Sequence, residues 1–308
     1  TSGGESFGGE FFRNPSNGKF YIGGPVGACR EASIIAELTG LDSTRRLPTQ
    51  NLKFTEQQHT EALQFQAQQA VKQAASKALY ITKVKQEVKE IPEFSAFDLN
   101  DRRLARWNFD PRHSASATWS YDENNLYIAF QSIRDDTPMI NGGVDVRTLF
   151  KTGDAVEFEL RTQPERDDAA VIEGDLRIVI SVFQGKPVAV LYNYKVPGTT
   201  EPVAFSSPVG TVKIDKVVVL DKAKISIDRG NGEYSVRASI PLSEIGFSPR
   251  IGATYRGDFG VIYSDNAGKI DELRMYWANP ANAMVNDMFT ESQINPAAWG
   301  RFKLEEKK

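Results

Sequence analysis

Ala117-Thr-Trp-Ser-Tyr-Asp-Glu-Asn-Asn-Leu-Tyr-Ile-Ala-Phe130, followed by Leu149-Phe-Lys-Thr-Gly-Asp-Ala-Val-Glu-Phe-Glu-Leu160, is the stretch on which the fold turns. The first run reads as a β-hairpin. Trp119 and Tyr121 share one strand face, and Asp122-Glu-Asn-Asn125 supplies residues that tolerate a tight turn. Leu126, Ile128 and Phe130 alternate with Tyr127, Ala129 and Gln131, the period of a half-buried strand. In the second run Val156, Phe158 and Leu160 point one way and Glu157, Glu159 and Arg161 the other. Strands in succession with no long helix between them imply an antiparallel β-sandwich.

Working outward, the same alternation predicts strands at Asp175–Phe183, Pro187–Tyr194, Thr211–Val219, Ala223–Ile227, Glu233–Ile240, Gly257–Ser264, Glu272–Trp277 and Arg301–Leu304. Turns at Gln184-Gly185, Arg229-Gly-Asn-Gly232 and Asp265-Asn-Ala-Gly268 separate several of them, and one helical turn is expected at Glu244-Ile245-Gly246. Upstream, residues 1–53 read as a small β segment that either packs on the sandwich or is the end of a larger domain: Glu10–Arg13 and Lys19–Ile22 flank the hairpin signal Asn17-Gly18, and Ser33–Leu38 is a further strand. Residues 54–92 read as a linker helix, with the helical pattern running over 55–79. Thr55 and Gln58 form a capping box, and Leu63, Ala67, Ala70, Ala74 and Ala78 make a narrow stripe. Ile91-Pro92 ends it. The sandwich occupies 93–308, and the fold class is mainly β, jelly-roll or immunoglobulin-like.

Composition narrows the function. The chain has 308 residues, 40% hydrophobic and 10% aromatic, enough for a sizeable core. Its 37 basic and 40 acidic residues give a net charge of −3, which argues against a nucleic-acid partner. A single cysteine, Cys29, can form no internal disulfide. No run approaches the ~18 apolar residues of a membrane span. The chain opens on Thr1-Ser-Gly-Gly rather than Met, so it reads as processed or shortened and leaves the compartment open. GxGxxG, P-loop, CxxC and His-Glu-x-x-His patterns are absent, and His59 and His113 are the only histidines. The reading is therefore of a non-enzyme.

Four pieces, in order, resemble the family 9 carbohydrate-binding modules and their DOMON-like relatives. They are Tyr121-Asp122 through Leu126-Tyr127-Ile128; Gly153-Asp154-Ala155-Val156-Glu157-Phe158; Tyr234-Ser-Val-Arg-Ala-Ser-Ile-Pro-Leu242; and Tyr276-Trp-Ala-Asn-Pro280 before Trp299-Gly-Arg-Phe-Lys-Leu304. The Ala36–Leu47 run resembles the last blade of a β-propeller. The resemblance to the family implies a non-catalytic sandwich in a larger secreted or cell-envelope protein that grips a polysaccharide or oligosaccharide. Sugar rings pack their C–H faces on aromatic rings, and their hydroxyls want planar charged partners. On that pattern Phe150 stands where the family carries tryptophan. Glu157 matches the acidic position, Arg177 the arginine of the next strand, and Trp277 with Asn279 the second aromatic and its amide. Phe150, Glu157, Arg177, Trp277 and Asn279 are thus the expected ligand residues. A core role for the two rings and a cross-strand ion pair for Glu157 and Arg177 are the plainer alternatives.

Family members often carry structural calcium, and Arg134-Asp-Asp-Thr-Pro-Met-Ile-Asn141 offers Asp135 and Asp136 as ligands. Other domains of a larger chain are the expected further partners. Two alternatives stand beside sugar binding: a structural or protein-interaction sandwich that has lost the sugar site, and a haem-binding redox domain using His113 with one of Met139, Met275, Met284 or Met288.

Overall fold

The computed structural model describes residues 10–13, 20–23, 32–34, 50–52, 68, 70–84, 102–135, 139–207, 210–230, 232–279 and 289–306. They fall in two compact units, Thr1–Gln69 and Ala70–Lys308. In the first, β1 (Glu10–Arg13) pairs antiparallel with β2 (Phe20–Gly23), and β3 (Ala32–Ile34) with β4 (Gln50–Leu52). Cys29 and His59 lie outside the described residues.

The second unit is built on two sheets. One has five strands in the order β15 (Lys224–Arg229), β16 (Glu233–Pro241), β8 (Asn125–Arg134), β7 (Ser114–Tyr121) and β6 (Ala105–Asn108). The other has eight. Its path runs β14 (Lys216–Val219), β11 (Lys186–Asn193), β10 (Asp175–Phe183), β9 (Ala155–Arg161), β17 (Thr254–Ser264), β19 (Gly300–Glu305) and β5 (Ala78–Thr82). β18 (Asp271–Tyr276) joins at β17. All these pairs are antiparallel except β19 with β5. A short hairpin of β12 (Val203–Ser207) and β13 (Gly210–Ile214) stands apart from both sheets.

The alternation in the deciding stretch is realised as read. Val156, Phe158 and Leu160 enter one core with Trp119, Tyr121, Leu126, Ile128 and Phe130, between the two sheets. Asp122 makes the turn: Oδ1 accepts the N–H groups of Asn124 and Asn125, each at 2.7 Å, and Oδ2 the hydroxyl of Tyr127 at 2.5 Å. Phe302 sits at the centre of this layer. It stacks on Trp277 at 6.0 Å and 7°, stacks on Phe158 at 5.9 Å and 13°, and meets Trp119 edge-on at 5.6 Å. Such pairs add about 0.5–1.5 kcal/mol each beyond area burial. Gly300 makes room, since a Cβ there would lie 2.6 Å from the Trp277 ring.

Two sequence expectations are corrected. The helix expected over 55–79 is described at 70–76, where Ala70 and Ala74 are its buried positions, and it does not reach 79. Ala78–Thr82 is strand because Leu79 and Ile81, 1% and 0% exposed, alternate with Tyr80 and Thr82 and pair with β19. Tertiary pairing overrides the alanine stripe here. The expected strand 211–219 is two strands, broken where Asp215 accepts the N–H of Val196 at 2.8 Å. Trp299, just before β19, is fully buried.

Candidate binding face of the eight-stranded sheet

The eight-stranded sheet has a second face, turned away from the sandwich interior. On β9 it carries Glu157, Glu159 and Arg161, the positions that alternate with the core residues Val156, Phe158 and Leu160. The register sets them in rows. One row reads Tyr276, Gly260, Glu157, Val179 and Val190 across β18, β17, β9, β10 and β11. The next reads Asp258, Glu159, Arg177 and Tyr192. Glycine at 260 has a local cause. A Cβ there would lie 2.6 Å from the Tyr276 ring, so its absence lets the ring lie across β17 and reach β9.

At the middle of this face the Tyr276 hydroxyl donates to Glu157 Oε2, and Arg177 Nη2 donates to Glu157 Oε1. Arg177 and Glu157 are diagonal rather than directly opposed, because Arg177 stands in register with Glu159. The Arg177 guanidinium lies 4.9 Å from the Phe150 ring centroid and 5.9 Å from that of Tyr192. Phe150 comes from the short 3-10 segment Val146–Lys151, which Asp145 caps through the N–H of Arg147. Arg274 completes the group. Its Nη2 donates to the Phe150 carbonyl and to Asp271 Oδ2, the latter at 2.8 Å.

This face is covered. Leu149, Phe150, Ile294 and Trp299 form a second apolar cluster with Val179, Val190, Tyr192 and Ile262, and Phe205 of the β12–β13 hairpin packs against it. The segment 289–299 lies on the polar part. The Glu291 carbonyl accepts Arg177 Nη1 at 2.8 Å and Arg274 Nη1 at 3.3 Å, and the Ser292 carbonyl accepts the Tyr194 hydroxyl at 2.6 Å. Trp299 Nε1 donates to Glu159 Oε2 at 2.5 Å. Arg256 Nη2 donates to the carbonyls of Pro296, at 3.0 Å, and Trp299, at 2.6 Å. Glu157 is 0% exposed, Arg177 1% and Phe150 1%. The Nε atoms of Arg177 and Arg274 are buried and find no acceptor among the described residues.

Burial acts on the acids first. It pushes Glu159 up to about 8, with the neighbouring Asp258 charge adding to the rise and the Trp299 N–H opposing it. It pushes Asp258 up to about 7 against the pull of three backbone N–H groups. Asp271 also rises to about 7 by burial, opposed by Arg274. Arg161, fully buried, instead holds Asp175 by two bonds of 2.7 and 2.8 Å and gathers the carbonyls of Asp168 and Ala170.

Of the five ligand residues expected from sequence, the structure brings together Phe150, Glu157 and Arg177. Trp277 is on the other side of the sheet, in the layer between the sheets. Asn279 donates its backbone N–H to Asp258 Oδ2 at 3.0 Å. The aromatic that meets Glu157 is Tyr276. The signal was present: Leu273, Met275 and Trp277 share one parity, and Arg274 and Tyr276 the other. Sequence reasoning did not single out Glu159, Asp258 or Arg274 as members of this face.

Asp135 is half-buried and Asp136 lies outside the described residues. Among the described residues no three His, Cys, Asp or Glu side chains gather into a group that could hold a metal ion. Asp154, nearby in charge, is not available for one. Its Oδ2 accepts the N–H of Ile140 at 2.6 Å, and its Oδ1 the N–H and hydroxyl of Ser264, both at 2.8 Å. His113 pairs with Asp110 and meets the Tyr263 ring edge-on at 4.9 Å. Met139 and Met275 are both in the inter-sheet core. Among the described residues no helix is long and apolar enough to cross a membrane.

Fold and site together define a two-sheet β protein with a charged, aromatic and self-covered outer face. Two solved structures of a family 9 carbohydrate-binding module from Caldicellulosiruptor kristjanssonii are similar to it. The one in complex with cellotriose is 17% identical, with 75% of this chain and 95% of that chain covered and a TM-score of 0.42. The one in complex with glucose is 16% identical, with 75% and 97% covered and a TM-score of 0.41. This is the family that the four sequence pieces resemble. No family model matches the sequence, and no curated relative matches it.

Proposed function

We propose that the chain is a non-catalytic carbohydrate-recognition module, secreted or in the cell envelope, whose seat is the outer face around Glu157 and Arg177. One observation carries the reading. Two buried guanidinium groups with unused Nε donors stand beside a carboxylate and among the rings of Phe150, Tyr192 and Tyr276. Buried donors left unmade cost roughly 1–3 kcal/mol each, so the face favours a ligand rich in acceptors. A polysaccharide or oligosaccharide offers hydroxyls for the charges and C–H faces for the rings.

A second reading is favoured by the burial of the same face: a structural or protein-interaction sandwich closed upon itself. The bonds to the Glu291 carbonyl, the Trp299–Glu159 bond and burial of the Trp299 ring hold the cover by roughly 6–12 kcal/mol. A glycan bound at millimolar to micromolar strength gains about 4–8 kcal/mol. On these magnitudes a sugar displaces the cover only where the cover is already loosened.

A glycan array, headed by cellotriose and glucose, separates the two. The carbohydrate reading expects saturable binding to at least one glycan class, weakened about tenfold by Phe150→Leu, which keeps apolar volume and removes the ring. Folded protein that binds no glycan at pH 6 or at pH 8.5 sinks that reading and leaves the second.

A further inference from the structure

We propose that Glu159 and Asp258 form a proton-dependent catch that holds the 289–299 cover over the sheet face. The two residues are opposed in register on β9 and β17, and they are 3% and 0% exposed. Directly opposed side chains on antiparallel strands come within a few ångströms, so two buried carboxylates there repel strongly. The structure ties the C-terminal end of the cover to this pair, where Trp299 Nε1 donates to Glu159 at 2.5 Å. The N–H groups of Ala278 and Asn279, just after β18, donate to Asp258 at 2.8 and 3.0 Å.

The surrounding charges offset the pair only in part. From β10, Arg177 pairs with Glu157, and Asp175 pairs with Arg161 of β9 while its charge adds to the rise at Glu159. From β18, Arg274 pairs with Asp271 and its charge also pulls on Glu159, and Tyr276 donates to Glu157. From β17 itself, Arg256 pairs with Asp167. From the strand end after β11, Tyr194 donates to the Ser292 carbonyl. The cover brings the buried Glu291, and Lys77 acts on Asp258 by charge alone. Donor count decides which acid keeps the proton. Asp258 accepts three N–H groups, counting its own neighbour Phe259 at 2.8 Å, whereas Glu159 accepts one. Asp258 is therefore the charged member and Glu159 the proton holder.

The sign follows. Both folded pKa values lie above the ordinary 3.8 and 4.5, at about 7 for Asp258 and about 8 for Glu159. The closed state binds a proton that an opened one releases, so closure is favoured at low pH and weakens as pH rises through 7–8. The catch works or fails in the bare chain, without a glycan, so its failure is distinct from a failure of sugar binding.

Hydrogen exchange across 289–299, corrected for intrinsic rates and read on the whole chain from pH 5 to 9, tests it. The wild type is expected to open at least tenfold more readily at pH 9 than at pH 6, because a carboxyl held at about 8 when closed and near 4.5 when open supplies up to about two pKa units of linkage over that range. Glu159→Gln, which keeps the acceptor for Trp299, is expected to flatten that change to less than about twofold. Asp258→Asn is expected to flatten it likewise, and serves if the first variant does not fold. An unchanged slope in the folded variant overturns the proposal. So does an equal rise in exchange at Trp119–Ile128, which would make the effect global.

Discussion

The two faces of one sheet are held by different physics. The inner face of the eight-stranded sheet is a run of rings and aliphatic chains around Phe302, each contact small and non-directional. The outer face buries Glu157, Glu159, Arg161, Asp175, Arg177 and Asp258, each held by hydrogen bonds to one partner or a few. An apolar layer loses stability in proportion to the volume removed. A buried polar network loses it when any single partner goes, because the other is left charged and dry.

Three substitutions press on this contrast. Trp277→Ala on the inner face removes a ring stacked on Phe302 and is expected to cost about 3–5 kcal/mol in urea unfolding. A loss below about 1 kcal/mol would mean the layer collapses to fill the space. Glu157→Ala on the outer face strands Arg177 and is expected to cost about 3 kcal/mol, recovered in large part by adding Arg177→Met. Additive losses in the double variant would show that the pair acts separately. Tyr276→Phe deletes one hydroxyl that bonds a carboxylate and is expected to cost about 1.5 kcal/mol, the smallest of the three. Unfolding midpoints of the single variant decide it.

Much of the inner face was readable. Val156, Phe158 and Leu160 alternate with charges, and apolar alternation is a strong strand signal. The partner hairpin carries the same period through Leu126, Ile128 and Phe130. The outer face was readable in part: Phe150, Glu157 and Arg177 were expected together, whereas alternation alone does not say that Glu159 and Arg161 are buried. What buries them is a segment more than a hundred residues later, at Glu291–Trp299, and sequence spacing says nothing of that contact. The one-residue difference between Trp277 and Tyr276 is a matter of parity, since neighbours in a strand face opposite ways. β5 was lost for another reason: its helical look came from the alanines before it, and its strand state from β19, which lies at the far end of the chain.

That last pairing also has a mechanical meaning. β5 and β19 run side by side in the same direction, with five residues of each in register from Ala78 opposite Arg301 to Thr82 opposite Glu305. Tension entering the unit ahead of Ala78 and leaving it after Glu305 pulls the two strands lengthwise past each other. Their bonds then share the load together rather than opening one by one. A tether through this unit would grip like a clamp, with the force falling first on a strand pair at one edge of the sheet.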